Sequence, residues 1–223
     1  MSWDPTWEGV HKARGWGRYP PEELIRFVAR HYFDVPDRSA VKILELGCGA
    51  GANLWFLARE GFDTFGVDGS ETAIARARQY LEQQCLTAHL KVSDVTEQAE
   101  LFPGVRFDAI IDVACSCCHR LNIARAMFDR AFDGLKPGGR IYSMTLAAGT
   151  YGDALGKEVE PGTRAEIPDG PFRGLGICHF FTLEEIKSVF ARFDNVGIEY
   201  SVRSIRDMNQ LVKLWVVEGI RSA

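Results

Sequence analysis

Five short stretches of this chain carry residue types and spacings that could do chemistry together. The first is Glu45-Leu46-Gly47-Cys48-Gly49-Ala50-Gly51. Glycines at 47, 49 and 51 let the backbone turn sharply, and they let a ligand approach where a β-carbon would clash. The second is Asp68, directly after Phe65-Gly66-Val67. A carboxylate at that point accepts hydrogen bonds from the hydroxyls of a ribose, so a nucleoside is the ligand it suits. Ser93-Asp94-Val95 supplies another carboxylate. Asp112-Val113-Ala114-Cys115-Ser116-Cys117-Cys118-His119 crowds an acid, three thiols and an imidazole together. Leu135-Lys136-Pro137-Gly138-Gly139 is a turn by composition.

These stretches act together only if the fold brings them to one edge. The apolar pattern predicts strands over 41–46, 62–67, 88–92, 107–113 and 140–146, and a closing pair over 195–202 and 211–217. Helices are predicted over 20–33, 53–60 and 122–132, with two more starting at Ser70 and Thr182. Thr182 and Glu185 have capping-box spacing. Strand and helix alternate, so the expected fold is α/β: a doubly wound, mostly parallel sheet of seven strands with its last strand reversed and helices on both faces. The first four chemical stretches then lie at the ends of strands, which is the edge where open α/β sheets bind ligands, while residues 135–139 precede the fifth strand.

The glycine stretch and Asp68 alone leave the ligand open. Gly47-x-Gly49-x-x-Ala52 also satisfies a relaxed dinucleotide fingerprint, which would make the chain a NAD-dependent oxidoreductase. A tight turn without a ligand and an acidic helix cap at Asp68 are further readings. The five pieces in order decide between them. Over about residues 41–145 the chain resembles class I methyltransferases that use S-adenosylmethionine (SAM) and release S-adenosylhomocysteine. The resemblance implies that Glu45, Gly47, Gly49 and Gly51 form the cofactor's glycine motif. It implies Asp68 for the ribose, Asp94 with Val95 for the adenine, and Ala114 beside the transferred methyl. The terminal pair around Gly197 and Trp215 fits the reversed hairpin of that family.

Methyl transfer to oxygen or nitrogen is an in-line displacement, for which the protein must align the acceptor and, for a hydroxyl, supply a base. His119 is the leading candidate because its ordinary pKa is close to neutral; the alternative is a histidine packing the sheet edge. Asp112 is the second candidate. Cys115, Cys117, Cys118 and His119 lack the separated second pair of a structural zinc site, since Cys178-His179 is adjacent and remote, so no metal is expected.

Residues 147–181 break the strand–helix rhythm and form the substrate-side insertion of a single domain spanning 1–223. Tyr151, Arg173 and His179 are its candidate acceptor contacts; Arg164 and Arg173 suit a carboxylate or phosphate. Residues 1–36 form an N-terminal lid segment, in which Trp16-Gly17-Arg18-Tyr19 is placed to fold over the cofactor, Tyr19 against it.

Bulk properties narrow the acceptor. The chain has 223 residues, a formal net charge of −4 and 25% charged residues. A mildly acidic protein without basic blocks gains little on nucleic acid, so a small-molecule acceptor is favoured over protein or RNA. A SAM-binding protein with another activity is a third reading. Met1-Ser2-Trp3-Asp4 is not a signal peptide and no apolar run could span a bilayer, so a cytoplasmic protein without a membrane partner is expected, its six cysteines free. No feature of the sequence specifies an oligomeric state.

Overall fold

The computed structural model describes residues 3–15, 17–96 and 101–222. Trp16, one of the residues expected over the cofactor, lies outside them.

Seven strands form the central sheet. β1 (Lys42–Leu46), β2 (Asp63–Asp68), β3 (His89–Val92), β4 (Phe107–Val113) and β5 (Leu135–Leu146) run parallel. β6 (Lys157–Glu160), β7 (Thr163–Ala165) and β8 (Cys178–His179) build a small antiparallel sheet of their own. β9 (Asp194–Ile205) and β10 (Gln210–Ile220) close the main sheet, with β10 antiparallel to both β5 and β9. The order across the sheet is β3-β2-β1-β4-β5-β10-β9. β1 and β4 are central, buried on both faces by Ile43, Leu44, Leu46, Ala109, Ile110 and Ile111. Their near-continuous apolar runs suit that position.

Among the described residues, six α-helices accompany the sheet: α1 (Thr6–Ala13), α2 (Glu22–Tyr32), α3 (Ala52–Arg59), α4 (Glu71–Gln83), α5 (Leu121–Gly134) and α6 (Leu183–Val189). On one face, Phe27 of α2 packs on Tyr142 of β5 with ring centroids 4.9 Å apart. On the other, Phe128 of α5 packs on Phe190 at 4.6 Å. Ser70 caps α4 by accepting from the Ala73 N–H at 3.0 Å. At α6 the capping box forms as its spacing predicts: Thr182 Oγ1 accepts from the Glu185 N–H at 3.2 Å, and Glu185 Oε2 accepts from the Thr182 N–H at 2.8 Å.

Three features depart from the sequence expectation. α1 forms inside the N-terminal segment, started by Asp4, whose Oδ1 accepts from the Thr6 N–H at 2.9 Å. Residues 135–139 belong to β5, with a register shift between Phe107 and Ala109; a β-carbon on Gly139 would crowd the Lys136 and Phe107 carbonyls at 2.9 and 3.0 Å. The stretch after β5 is not structureless. It leaves the sheet at Ala147 and returns at Phe181, two residues that bridge in parallel, and its small sheet lies between. Thr150 Oγ1 donates to the Lys213 carbonyl at 2.7 Å, and Trp215 Nε1 donates to the Phe181 carbonyl at 2.8 Å, so both ends are tied to β10. Its short strands carry no period long enough to read.

Candidate active site

The carboxyl ends of β1, β2 and β4 open into a cavity of about 320 Å³. Its floor is the turn after β1. Gly47 has φ +66°, and a β-carbon there would sit 2.5 Å from Cys115 Sγ. Gly49 has φ +51°, and its N–H donates to Asp68 Oδ2 at 2.9 Å. Two left-handed residues in one short turn require glycine. The other Asp68 oxygen accepts from the Ser70 N–H at 2.8 Å. Burial pushes the Asp68 carboxyl up, and these two N–H groups oppose it. The carboxylate lines the cavity and keeps lone pairs for a ligand's hydroxyls.

Two further carboxylates stand at this edge. Glu45, 2% exposed, accepts from Asn53 Nδ2 at 2.6 Å through Oε1. Burial pushes its carboxyl up to about 8, against the pull of Asn53. Glu45 does not line the cavity; it stands behind the glycine turn. Asp94 Oδ1 accepts from the Thr96 N–H at 2.9 Å, and Asp94 Oδ2 accepts from the Trp3 N–H at 2.9 Å. Val95, Val113 and Ala114 complete this half of the cavity. Ala114 has φ +60°, unusual for a residue with a β-carbon. Its N–H donates to the Met144 carbonyl at 2.8 Å, which holds the bend. A glycine cradle with a buried carboxyl, Asp68, lining the cavity suits a nucleoside such as that of SAM.

The other half of the cavity is lined by Cys115, Cys117, Cys118, His119, Leu146, Phe172, Leu175 and Cys178, with Trp7 and His11 of α1 beside them. His119 is 5% exposed, its Nε2 is 3.9 Å from Cys115 Sγ, and its Nδ1 has no hydrogen-bond partner among the described residues. Burial lowers its pKa, against the attraction of Asp94 and Asp4. Burial holds the Cys115 thiol well above the usual range, and Cys118 is held up by its contact with Cys117 and by burial, so neither is activated. Among the described residues, no three of His, Cys, Asp and Glu are placed to share a metal ion.

Several expected site residues lie elsewhere. Asp112 is fully buried and takes four donors: the Cys115 and Ser116 N–H groups, Ser116 Oγ and Ser143 Oγ, at 2.6 to 3.0 Å. It fastens the turn that carries His119 and has no lone pair to spare for chemistry. Gly51, at φ +86°, starts α3 and packs on Ala77, away from the ligand. Tyr19 is 76% exposed and leans on Trp55, outside the cavity. Tyr151 donates to Asp169 Oδ2 at 3.0 Å near the hairpin of β9 and β10. Arg173 is exposed, although Pro171, Phe172 and Leu175 around it line the cavity. His179 is fully buried against Thr163 Oγ1 at 2.7 Å and Phe181, so it packs the small sheet.

Trp3, Trp7, His11, Phe172, Leu175 and Cys178 line the cavity without having been singled out from the sequence. A signal existed for Trp7 and His11. Trp7, Val10 and His11 have helical spacing after Asp4-Pro5, a start signal.

Residues 43–139 match the family model described as a methyltransferase domain. Residues 43–139 thus carry a methyltransferase domain. The methyltransferase is 28% identical to the ubiquinone biosynthesis O-methyltransferase of Nitrobacter winogradskyi, over 94% of this chain and 83% of that one. Its fold is similar to that of a SAM-dependent methyltransferase from Methanosarcina mazei, with a TM-score of 0.67 at 20% identity over 86% of this chain and 96% of that one. It is also similar to magnesium protoporphyrin IX methyltransferase from Synechocystis with bound SAM, with a TM-score of 0.60 at 14% identity over 97% of this chain and 80% of that one. The domain makes the chain an enzyme of methyl transfer, and the cavity described above suits SAM as the methyl donor.

Proposed function

We propose that this methyltransferase acts on a hydroxyl oxygen of a small, uncharged and largely apolar acceptor, with His119 as general base. The observation that carries the reading is His119 itself: a buried imidazole at the end of β4, lining the cavity, with Nδ1 unpartnered among the described residues. Bound SAM supplies the methyl electrophile together with its leaving group. The acceptor oxygen forms the new bond to the methyl carbon. His119 Nδ1 takes the hydroxyl proton, while a proton on Nε2 faces Cys115 Sγ. Leu146, Phe172 and Leu175 exclude water and hold an apolar body. No Lys or Arg is among the described residues lining the cavity, so an anionic acceptor finds no counter-charge there. The relative from Nitrobacter winogradskyi, an O-methyltransferase by name, supports oxygen as the acceptor atom.

The domain is read as a single unit, with an N-terminal lid over residues 1–36 and a substrate-side insertion over 147–181. The net charge of −4 and the uncharged acceptor wall argue against a nucleic-acid substrate. No helix among the described residues is long and apolar enough to cross a membrane, and a cytoplasmic setting fits the free cysteines.

The test is transfer from methyl-labelled SAM to a panel of phenols, aliphatic alcohols and amines. Label on the hydroxyls of apolar acceptors is the expected result. Label on amines alone would overturn the oxygen assignment.

A further inference from the structure

The N-terminal segment packs its side chains directly on two glycines. A β-carbon on Gly69 would lie 2.3 Å from Cδ1 and Nε1 of Trp3. A β-carbon on Gly176 would lie 2.3 Å from Asp4 Oδ2. Neither glycine has a left-handed φ, so backbone conformation does not demand glycine at either position. Room for the segment does. Gly69 directly follows Asp68, and Gly176 lies in the insertion, so the segment bridges the cofactor wall and the acceptor wall.

Polar contacts pin it in place. The Trp3 N–H donates to Asp94 Oδ2 at 2.9 Å. Glu8 accepts from Ser70 Oγ at 2.5 Å and from Thr72 Oγ1 at 2.6 Å, across the start of α4. Those hydroxyls pull the Glu8 carboxyl down to about 2, so it stays ionised at any working pH. The Ile177 N–H reaches Asp4 Oδ2 at 3.4 Å on the far side.

We propose that Trp3 is the wall on which the adenine of SAM stacks, with Gly69 as the socket that admits its indole. The inference rests on the SAM reading of the cavity. The ribose belongs at Asp68, so the base joined to it must lie toward Asp94 and Val95, and Trp3 lines that end of the cavity. A flat aromatic face offers a base stacking surface that no residue of the 66–69 turn supplies. Trp3 is thus a cofactor-binding residue contributed from outside the residues 43–139 that match the methyltransferase family model.

The experiment is calorimetric titration of the full chain with SAM and with S-adenosylhomocysteine. Trp3→Ala is expected to weaken both by about tenfold or more, the loss of one base–aromatic stack. Trp3→Phe should keep most of the affinity. In the double variant W3A/G69L, the leucine grows into the space the indole leaves, and part of the affinity should return. Gly69→Leu alone should expel the indole, seen as faster cleavage of residues 3–13 by a protease. Wild-type affinity in Trp3→Ala would overturn the wall. Tighter binding in that variant would overturn it too, because the indole would then be occupying the place of the base. No binding of either ligand by the wild type would overturn the SAM reading and this proposal with it.

Discussion

Asn53 Nδ2 donates to Glu45 Oε1 at 2.6 Å and fixes a buried carboxyl behind the glycine turn. The other oxygen of Glu45 has no hydrogen-bond partner among the described residues. Burial therefore favours the neutral acid, and its pKa rises from 4.5 to about 8. A carboxyl whose folded pKa is raised stabilises the fold fully below its unfolded pKa. That stabilisation is lost as pH rises toward the folded pKa. Without SAM, the stability of the protein should fall between pH 7 and 8, by about 1 kcal/mol per pH unit at most. The buried histidines do not mask this slope, since His11 and His119 have lowered pKa values and are largely neutral in both states there. Urea unfolding of wild type and Glu45→Gln at both pH values checks it. The variant should be flat where the wild type declines.

Asp68 holds two backbone N–H groups and faces the cavity, so its loss has two effects. Asp68→Ala removes the ribose acceptor and frees the Gly49 turn. SAM affinity should drop by about a hundredfold, the scale of two hydrogen bonds to a charged group. Asp68→Asn keeps an acceptor and should lose less. Calorimetry measures both, and unchanged affinity in Asp68→Ala would remove the ribose assignment.

Part of the cavity's nucleoside side was legible in the sequence: Gly47, Gly49, Asp68, Val95 and Ala114 line it, whereas Glu45, Gly51, Asp94 and Tyr19 do not. A left-handed turn needs glycine, so Gly47 and Gly49 announce themselves, and Asp68 follows a strand whose apolar run is plain. The acceptor side was not legible for the opposite reason. Phe172, Leu175 and Cys178 reach the cavity from a segment with no period, positioned by long-range ties such as Thr150 to Lys213. Tyr151 and His179 have the right chemistry for a site, but the fold uses their polar atoms on Asp169 and Thr163. Residue type proposes a role, and the partners a side chain finds decide it.

Asp112 illustrates the same rule and gives a stability prediction. Its four donors come from Cys115, Ser116 and Ser143, so it joins the end of β4 to β5 and sets the turn that aims His119. Asp112→Ala leaves those donors buried without an acceptor and should destabilise the fold by about 3 kcal/mol. Asp112→Asn, whose carbonyl still serves the two N–H groups, should cost less. Denaturant midpoints of the two variants give the order. A wild-type midpoint in Asp112→Ala would mean that water replaces the carboxylate.

His119 gives the prediction on catalysis. Its pKa is lowered by burial, and a base acts only when neutral. The acid limb of kcat/KM should therefore fall below pH 6.5, the ordinary histidine value, and the rate should be level from there to pH 7.5. His119→Ala should reduce kcat by about a hundredfold or more while the Kd for SAM stays unchanged, because the imidazole lies on the acceptor side of the cavity. The acid limb should disappear in that variant. An acceptor whose hydroxyl is already acidic needs the base less, so the penalty should shrink as the acceptor pKa falls. Rates for a series of phenols of graded acidity, with wild type and His119→Ala side by side, measure that slope. Equal penalties across the series would show that His119 positions the acceptor and takes no proton from it.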